Sequence, residues 1–261
     1  MLIQLPNGLI DGADHFNYAE VDELRGKQQN YLANQELVVG NIGHIPKILE
    51  DMVKSLQTKE GLTWKGDLTK AIWKLPSGDL ETILIKIREN TYGERFYHGA
   101  TCKHCDHEMK DLLLKLTELK ISPLPMQDMF APKTCKLPKS NMEVEFKPTY
   151  LRDIFDMIKI TTNNQDKLVT SLIPLSIKCI KTGTKKEPVI IDPVKSEHVE
   201  ELPMSDLMYL QQEVDKVVLE GTIDTDIEIE CSNCHKDFSI KLNVFDPSFF
   251  DPTKGSTSGN M

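Results

Sequence analysis

Cys102-Lys103-His104-Cys105 and Cys231-Ser232-Asn233-Cys234 are two short cysteine motifs, each set between stretches that read as strand. Together they offer four thiolates, the full tetrahedral shell of one zinc ion. Because 126 positions separate Cys105 from Cys231, a shared metal would join two halves of the chain instead of organising a compact local finger. Cys102, Cys105, Cys231 and Cys234 are therefore the candidate ligands of one structural Zn2+ per chain.

A C-x-x-C pair can also be a thioredoxin-like redox couple, but that chemistry places its first cysteine at a helix N-terminus, where the dipole lowers the thiol pKa. Neither motif opens a helix. Ile227 to Glu230 lead into the second, and Phe238-Ser239-Ile240-Lys241-Leu242 lead out with the period-2 alternation of a half-buried strand. Two such strand-knuckle-strand units make a zinc ribbon. Separate redox or disulfide pairs remain open, as does a site completed by His104, His107 or His235, although each histidine reads first as a solvated knuckle residue. Cys135 and Cys179 have no near neighbour in sequence, and six cysteines in 261 residues are too few for a disulfide framework.

No basic segment followed by an apolar stretch begins the chain, and no apolar run approaches bilayer-spanning length. A soluble protein of a reducing cytoplasm, with no membrane partner, is expected. The net charge of −9 makes nucleic acid an unlikely main partner, since a phosphate backbone is bound by clustered Lys and Arg.

Internal similarity organises the rest. Leu24-Arg25 corresponds to Leu151-Arg152, and Leu75-Pro76-x-x-Asp79-Leu80 to Leu202-Pro203-x-x-Asp206-Leu207, both offset by 127. The cysteine motifs are offset by 129, and Leu5-Pro6-Asn7-Gly8 has a counterpart in Leu137-Pro138-Lys139-Ser140. Four matches in one order at nearly constant spacing predict a duplication.

The expected fold class is α+β, internally duplicated. Each copy opens with a β-hairpin, Met1 to Ile10 and Lys136 to Phe146; Asn7-Gly8 reads as the first hairpin's turn. Helices follow at Val21–Leu37 and Leu151–Ile160, then at Ile45–Val53 and Gln165–Cys179. A third helix runs Asp79–Asn90 and Asp206–Leu219, with Ser77 or Ser205 as N-cap and the aspartate in the first turn, before each knuckle unit. The first copy spans 1–120 and the second 134–250. Between them lies a Pro-rich linker, 121–133, whose Met126, Met129 and Phe130 read as buried between the halves. Val189-Ile190-Ile191 reads as an edge strand, and 251–261 as a disordered tail.

Catalytic motifs are missing: no Gly-rich phosphate loop, no G-x-S-x-G elbow and no H-E-x-x-H occur. A zinc held by four thiolates has no open position at which to activate water.

Ile83 to Phe96 followed by the first knuckle resembles a recurring pattern of contractile-tailed phage baseplate proteins. In it a helix ends in an Arg-x-x-Thr/Ser-Tyr-Gly segment, here Arg88, Thr91, Tyr92 and Gly93, before a short strand and a C-x-x-C knuckle. The hairpin residues Leu5 to Gly8 are similar too. The family is the T4-type baseplate hub and assembly group. The second knuckle departs from the pattern, being preceded by Asp224-Thr225-Asp226-Ile227. The resemblance implies a non-enzymatic structural or chaperone-like component whose partners are phage tail or baseplate proteins. It would be found in the host cytoplasm during assembly or in the virion. The alternative is a zinc-ribbon nucleic-acid-binding or transcription-associated module, which would need a basic strip such as Lys133, Lys136, Lys139 and Lys147.

Overall fold

The structure is a computed structural model that describes residues 1–33, 43–121, 133–153, 155, 176–181, 189–190, 197–219, 223–251 and 256–257. The linker residues 122–132 and the expected helical segment 165–175 lie outside the described residues.

The chain is α+β, with antiparallel sheets and helices. Strands β1 (Leu2–Asp11) and β2 (Asp14–Val21) form a longer hairpin than the sequence predicts, and β3 (Val53–Gln57) pairs with β2. The turn lies at Gly12 and Ala13, not at Asn7-Gly8. Asn7 and Gly8 instead form an irregularity inside β1, where the register shifts between Gln4 and Leu9. Gly8 adopts φ 76°, and a Cβ there would meet the Asn17 Cα and Phe16 carbonyl at 2.7 Å. The Asn-Gly pair thus serves close approach of two strands.

Helix α1 is Gly26–Ala33; Val21, expected to begin it, ends β2. Helix α2 (His44–Met52) buries Ile45, Ile48, Leu49 and Met52 on one stripe, as the spacing predicts, and the chain turns extended at Val53. A short helix α3 (Leu68–Ile72) precedes the long helix α4 (Ser77–Tyr92). Strands β4 (Arg95–Thr101) and β5 (Glu108–Lys115) then flank the first knuckle, and β6 (Lys120–Ile121) follows.

Beyond the linker, β7 (Thr134–Lys136), β8 (Glu143–Phe146) and β9 (Ile177–Lys181) form a second antiparallel sheet. Its outer strand β10 (Val189–Ile190) lies where the edge strand is predicted. Cys179 belongs to β9 and ends no helix, because the Ile177–Lys181 backbone is taken up by the ladder to β8. Residues 151–153 are helical, as expected. Helices α5 (Glu197–Glu200) and α6 (Met204–Leu219) lead through β11 (Ile223–Asp224) to β12 (Asp226–Glu230) and β13 (Asp237–Lys241), which flank the second knuckle. In the tail, where composition predicts disorder, Ser256–Thr257 (β14) adds in parallel to His98–Gly99 of β4.

The two sheets share their detailed wiring. The Val21 amide donates to the Met1 carbonyl at 2.8 Å, and the Phe146 amide to the Lys133 carbonyl at 2.8 Å. Asp22 to Met52 and Lys147 to Ser176 repeat the next bond, both at 2.9 Å. The register shifts just after Glu20 in one sheet and just after Glu145 in the other.

The long helices repeat a further device. Neither Ser77 nor Ser205 caps: α4 begins at Ser77 behind Pro76, with no side-chain cap, and Ser205 is already inside α6. The first-turn aspartates act over distance instead. Asp79 accepts from the amides of Asn7 and Gly8, both at 2.7 Å, and Asp206 from those of Lys139 and Ser140 at 2.8 and 2.9 Å. Each carboxylate thereby satisfies two adjacent backbone donors of its own hairpin, within β1 for Asp79 and in the β7–β8 turn for Asp206, while sitting at the positive end of a helix. Burial pushes Asp79 up to about 7 against the pull of those amides. Burial pushes Asp206 the same way, but the Lys139 and Ser140 bonds outweigh it and hold the group below its ordinary value.

The described residues form two apolar clusters. One unites the first sheet, α2, α4 and the inward faces of β4–β5 with Ile223, Phe238, Ile240, Phe249 and Phe250 from the far end of the chain. The other gathers Leu137, Val144, Phe146, Ile177 and Ile180 with Leu210 and Val214 of α6. Replacing Asp79 by Ala strands two buried amide donors, and we expect a loss of about 1–3 kcal/mol in urea unfolding. An unchanged midpoint would show that β1 is held to helix α4 by other means.

Candidate metal centre

A strand that must reverse over four residues needs a tight turn with one residue in the left-handed region. Both knuckles build it identically. The Cys102 amide donates to the His107 carbonyl at 2.9 Å and the Asp106 amide to the Cys102 carbonyl at 3.0 Å. At the second knuckle the Cys231 amide donates to Lys236 at 3.0 Å and the His235 amide to Cys231 at 2.9 Å. Asp106 and His235 take φ 55° and 56°.

These turns bring the four predicted cysteines together. Their sulfurs all lie within 4.8 Å of one another, with Cys102 and Cys231 buried and Cys105 and Cys234 half-buried. Two approaches cross between the knuckles: Cys102 to Cys234 and Cys105 to Cys231, each 3.7 Å. A tetrahedral zinc with bonds of about 2.3 Å sets its sulfurs about 3.8 Å apart, whereas a disulfide needs about 2.05 Å. The donor set and its spacing fit zinc.

Donors point at the sulfurs, as thiolates require. The His104 amide approaches the Cys102 sulfur at 3.4 Å and the Asn233 side-chain amide the Cys105 sulfur at 3.7 Å. The amide of Cys234, joined by that of Asn233, outweighs burial and lowers the Cys231 thiol to about 6. At Cys234 the Lys236 amide favours the thiolate, but burial and the three neighbouring sulfurs push the group up to about 12. Four thiols at this spacing ionise together only with a cation among them.

Of the alternative ligands, His104 approaches the Asp237 carbonyl through Nε2 at 3.2 Å, a bond that spans the two knuckles. His235 Nδ1 lies 2.8 Å from Glu230. Among the described residues, the metal-capable group comprises the four cysteines alone. Cys135 and Cys179 stand apart: burial pushes the Cys135 thiol up to about 11, and the Cys179 thiol donates to Glu145 at 3.6 Å.

What seats the second knuckle beside the first is an arrangement the sequence reading missed. Arg88, buried on α4, donates through Nε to the Phe249 carbonyl at 2.7 Å and through a terminal nitrogen to the Arg95 carbonyl at 3.2 Å. Its guanidinium lies over the rings of Phe96, Phe249 and Tyr92, at 4.6, 5.5 and 5.7 Å. Burial lowers its pKa to about 10 and leaves it charged. Phe249 and Phe250 sit in a 3-10 turn, Pro247–Phe250, whose cap is the Asp246 carboxylate accepting from the Ser248 amide at 2.8 Å. Two turns earlier on α4, Glu81 faces the Ile223 amide and Lys241. An arginine one turn past the apolar run Ile83-Leu84-Ile85 was the available signal.

A family model described as T4 bacteriophage base plate protein matches residues 29–250. No curated protein and no solved structure matches the chain.

Burial pushes Glu81 up to about 7, above the value near 4.5 of an exposed glutamate. The folded chain therefore holds this proton more tightly than the unfolded chain. Its stabilising contribution is full below about pH 4 and is lost as pH rises through about 7. Thermal midpoints taken between about pH 5 and pH 8 should fall more steeply for wild type than for Glu81→Gln. Equal slopes would show that Glu81 is not the group responsible.

Proposed function

The chain belongs to the T4 bacteriophage base plate protein family, and from that premise we propose that it is a non-enzymatic structural or assembly component of a contractile-tailed phage baseplate, built as two copies of one plan clasped by one zinc. The family match over residues 29–250 carries the baseplate reading. The partners are then other tail or baseplate proteins, met in the host cytoplasm during assembly, and the finished particle retains the chain as structure or releases it as a chaperone.

Duplication is supported by the repeated hydrogen bonds of the two sheets and by the two aspartates that each bind two adjacent amides of a hairpin. On this reading the copies are 1–120 and 134–250, joined by 121–133. Zinc is supported by the 3.7 Å sulfur spacing and the donors aimed at Cys102 and Cys105. The roles follow from burial: Cys102 and Cys231 anchor the ion from inside, and Cys105 and Cys234 close it from the solvent side. With all four positions taken by sulfur, the ion holds strands in place and activates no water.

A protein partner is also favoured over nucleic acid by the second ribbon. Asp226, Glu228, Glu230 and Asp237 stand exposed on one face of β12–β13 and outnumber its single lysine, Lys241, so the face is net acidic and disfavours a phosphate backbone. No helix among the described residues is long and apolar enough to cross a membrane.

Elemental analysis of the purified chain should find one zinc per molecule, and chelation should remove the fold cooperatively, since structural zinc in isolated fingers contributes on the order of 10–16 kcal/mol. Cys102→Ser/Cys231→Ser should match the chelated protein. A chain that is metal-free yet cooperatively folded would overturn the clasp. For the baseplate role, an infection lacking this protein should yield defective tails, and intact tails in its absence would overturn it.

A further inference from the structure

Helices α4 and α6 occupy matching places, each sixteen residues long and each tied by its first-turn aspartate to two adjacent amides of the hairpin of its own half. Their second faces differ. On α4 that face is covered, with Glu81 accepting from the Ile223 amide and Arg88 under Phe249. At the same offset of 127, α6 carries Met208 and Asp215. Met204 and Met208, one turn apart, are 71% and 61% exposed, more than any other large apolar side chain among the described residues. Gln211 and Asp215 continue the stripe, with Gln211 donating to the Asp215 carboxylate at 2.7 Å.

The chain has another uncovered apolar pair. Tyr97 of β4 and Leu113 of β5 stand directly opposite each other on the outward face of the first ribbon, 49% and 47% exposed. The next outward pair is Arg95 and Lys115; Lys115 also lies 3.5 Å from Glu118, a surface contact worth little. In the strand the charge lies about 7 Å from the apolar pair. Along α6, Asp215 lies about 10 Å from Met208. Each patch thus presents two apolar side chains followed by charge, and the charges are opposite.

From this complementarity we propose that the open face of α6 binds the outward face of β4–β5 on a second copy of the chain. Met204 and Met208 rest on Tyr97 and Leu113, where thioether sulfur meets an aromatic ring, and Asp215 faces Arg95. The two surfaces belong to different parts of the molecule, so the contact is head-to-tail. Every bound copy keeps one unused patch, and association continues until a ring closes. Few side chains are involved, so the contact is weak and concentration-dependent. It does not rest on the metal or on the family.

The test is sedimentation of the full-length chain over a concentration series. Wild type should self-associate beyond a dimer. Met204→Glu/Met208→Glu and Tyr97→Glu/Leu113→Glu should each be monomeric and folded by circular dichroism, with association weakened at least tenfold. Mixed together, the two variants should form a 1:1 dimer and stop, because each supplies the patch that the other lacks. A monomeric wild type would overturn the proposal, and so would self-association that persists in either variant or a mixture that stays monomeric. The adjoining substitution Lys110→Glu keeps both apolar pairs and should leave association in place, which separates loss of the contact from a general change in surface charge.

Discussion

The fold turns on one steric and electrostatic constraint: two strand turns far apart in sequence must bring four sulfurs within 4.8 Å. Thiols do not attract one another enough to enforce this, so the surrounding structure has to aim them. It does so by giving both ribbons a common apolar core, in which Phe96, Ala100 and Leu114 of the first meet Phe238 and Ile240 of the second. The antiparallel pairing of β6 with β11, Ile121 opposite Ile223, joins the ends of the two ribbons. Arg88 completes the seat by reaching the carbonyl of Phe249, 161 residues away. A guanidinium suits this place because it keeps its charge when buried and stacks on rings while donating from its edge.

Much of this was legible in the sequence because its signals were local. A C-x-x-C motif between alternating apolar residues specifies a knuckle by itself, and the Ile45 to Met52 stripe specifies a helix face by spacing alone. What failed was local chemistry redirected by a distant partner. Asn7-Gly8 carries a hairpin signal, yet the turn formed at Gly12, and the pair serves instead as two amides for Asp79. Ser77 looks like a cap, but Pro76 already closes the first turn through its carbonyl. Cys179 follows a stretch with helical features and is nevertheless a strand residue, because β8 offers it a ladder. Phe249 and Phe250 stand in a segment without periodicity, so nothing nearby announced that both are fully buried. The aspartates of the repeated Leu-Pro-x-x-Asp-Leu were seen, and their helix dipole was read correctly. Their amide partners, about 70 residues upstream, were not.

The halves resemble each other in wiring and differ in cover. The same carboxylate device is buried among apolar residues in one half and favoured by Lys139 in the other, which moves the two groups in opposite directions. The second face of the long helix is covered in α4 and, at Met204 and Met208, exposed in α6. The two helices thus share a place in the wiring while their second faces meet different surroundings.

The larger apolar cluster draws its members from residue 3 to residue 250, and that has a consequence for synthesis. The amino-terminal half leaves the ribosome with its central helix still lacking Ile223, Phe249 and Phe250. At ordinary elongation rates the interval before those residues emerge is on the order of ten seconds. During that time the nascent chain exposes the apolar flank of α4 and an incomplete set of thiols. Contacts of such long sequence separation also slow the final search. Translation speed and the company of other chains in a crowded polysome therefore bear on how much of this protein reaches its native state.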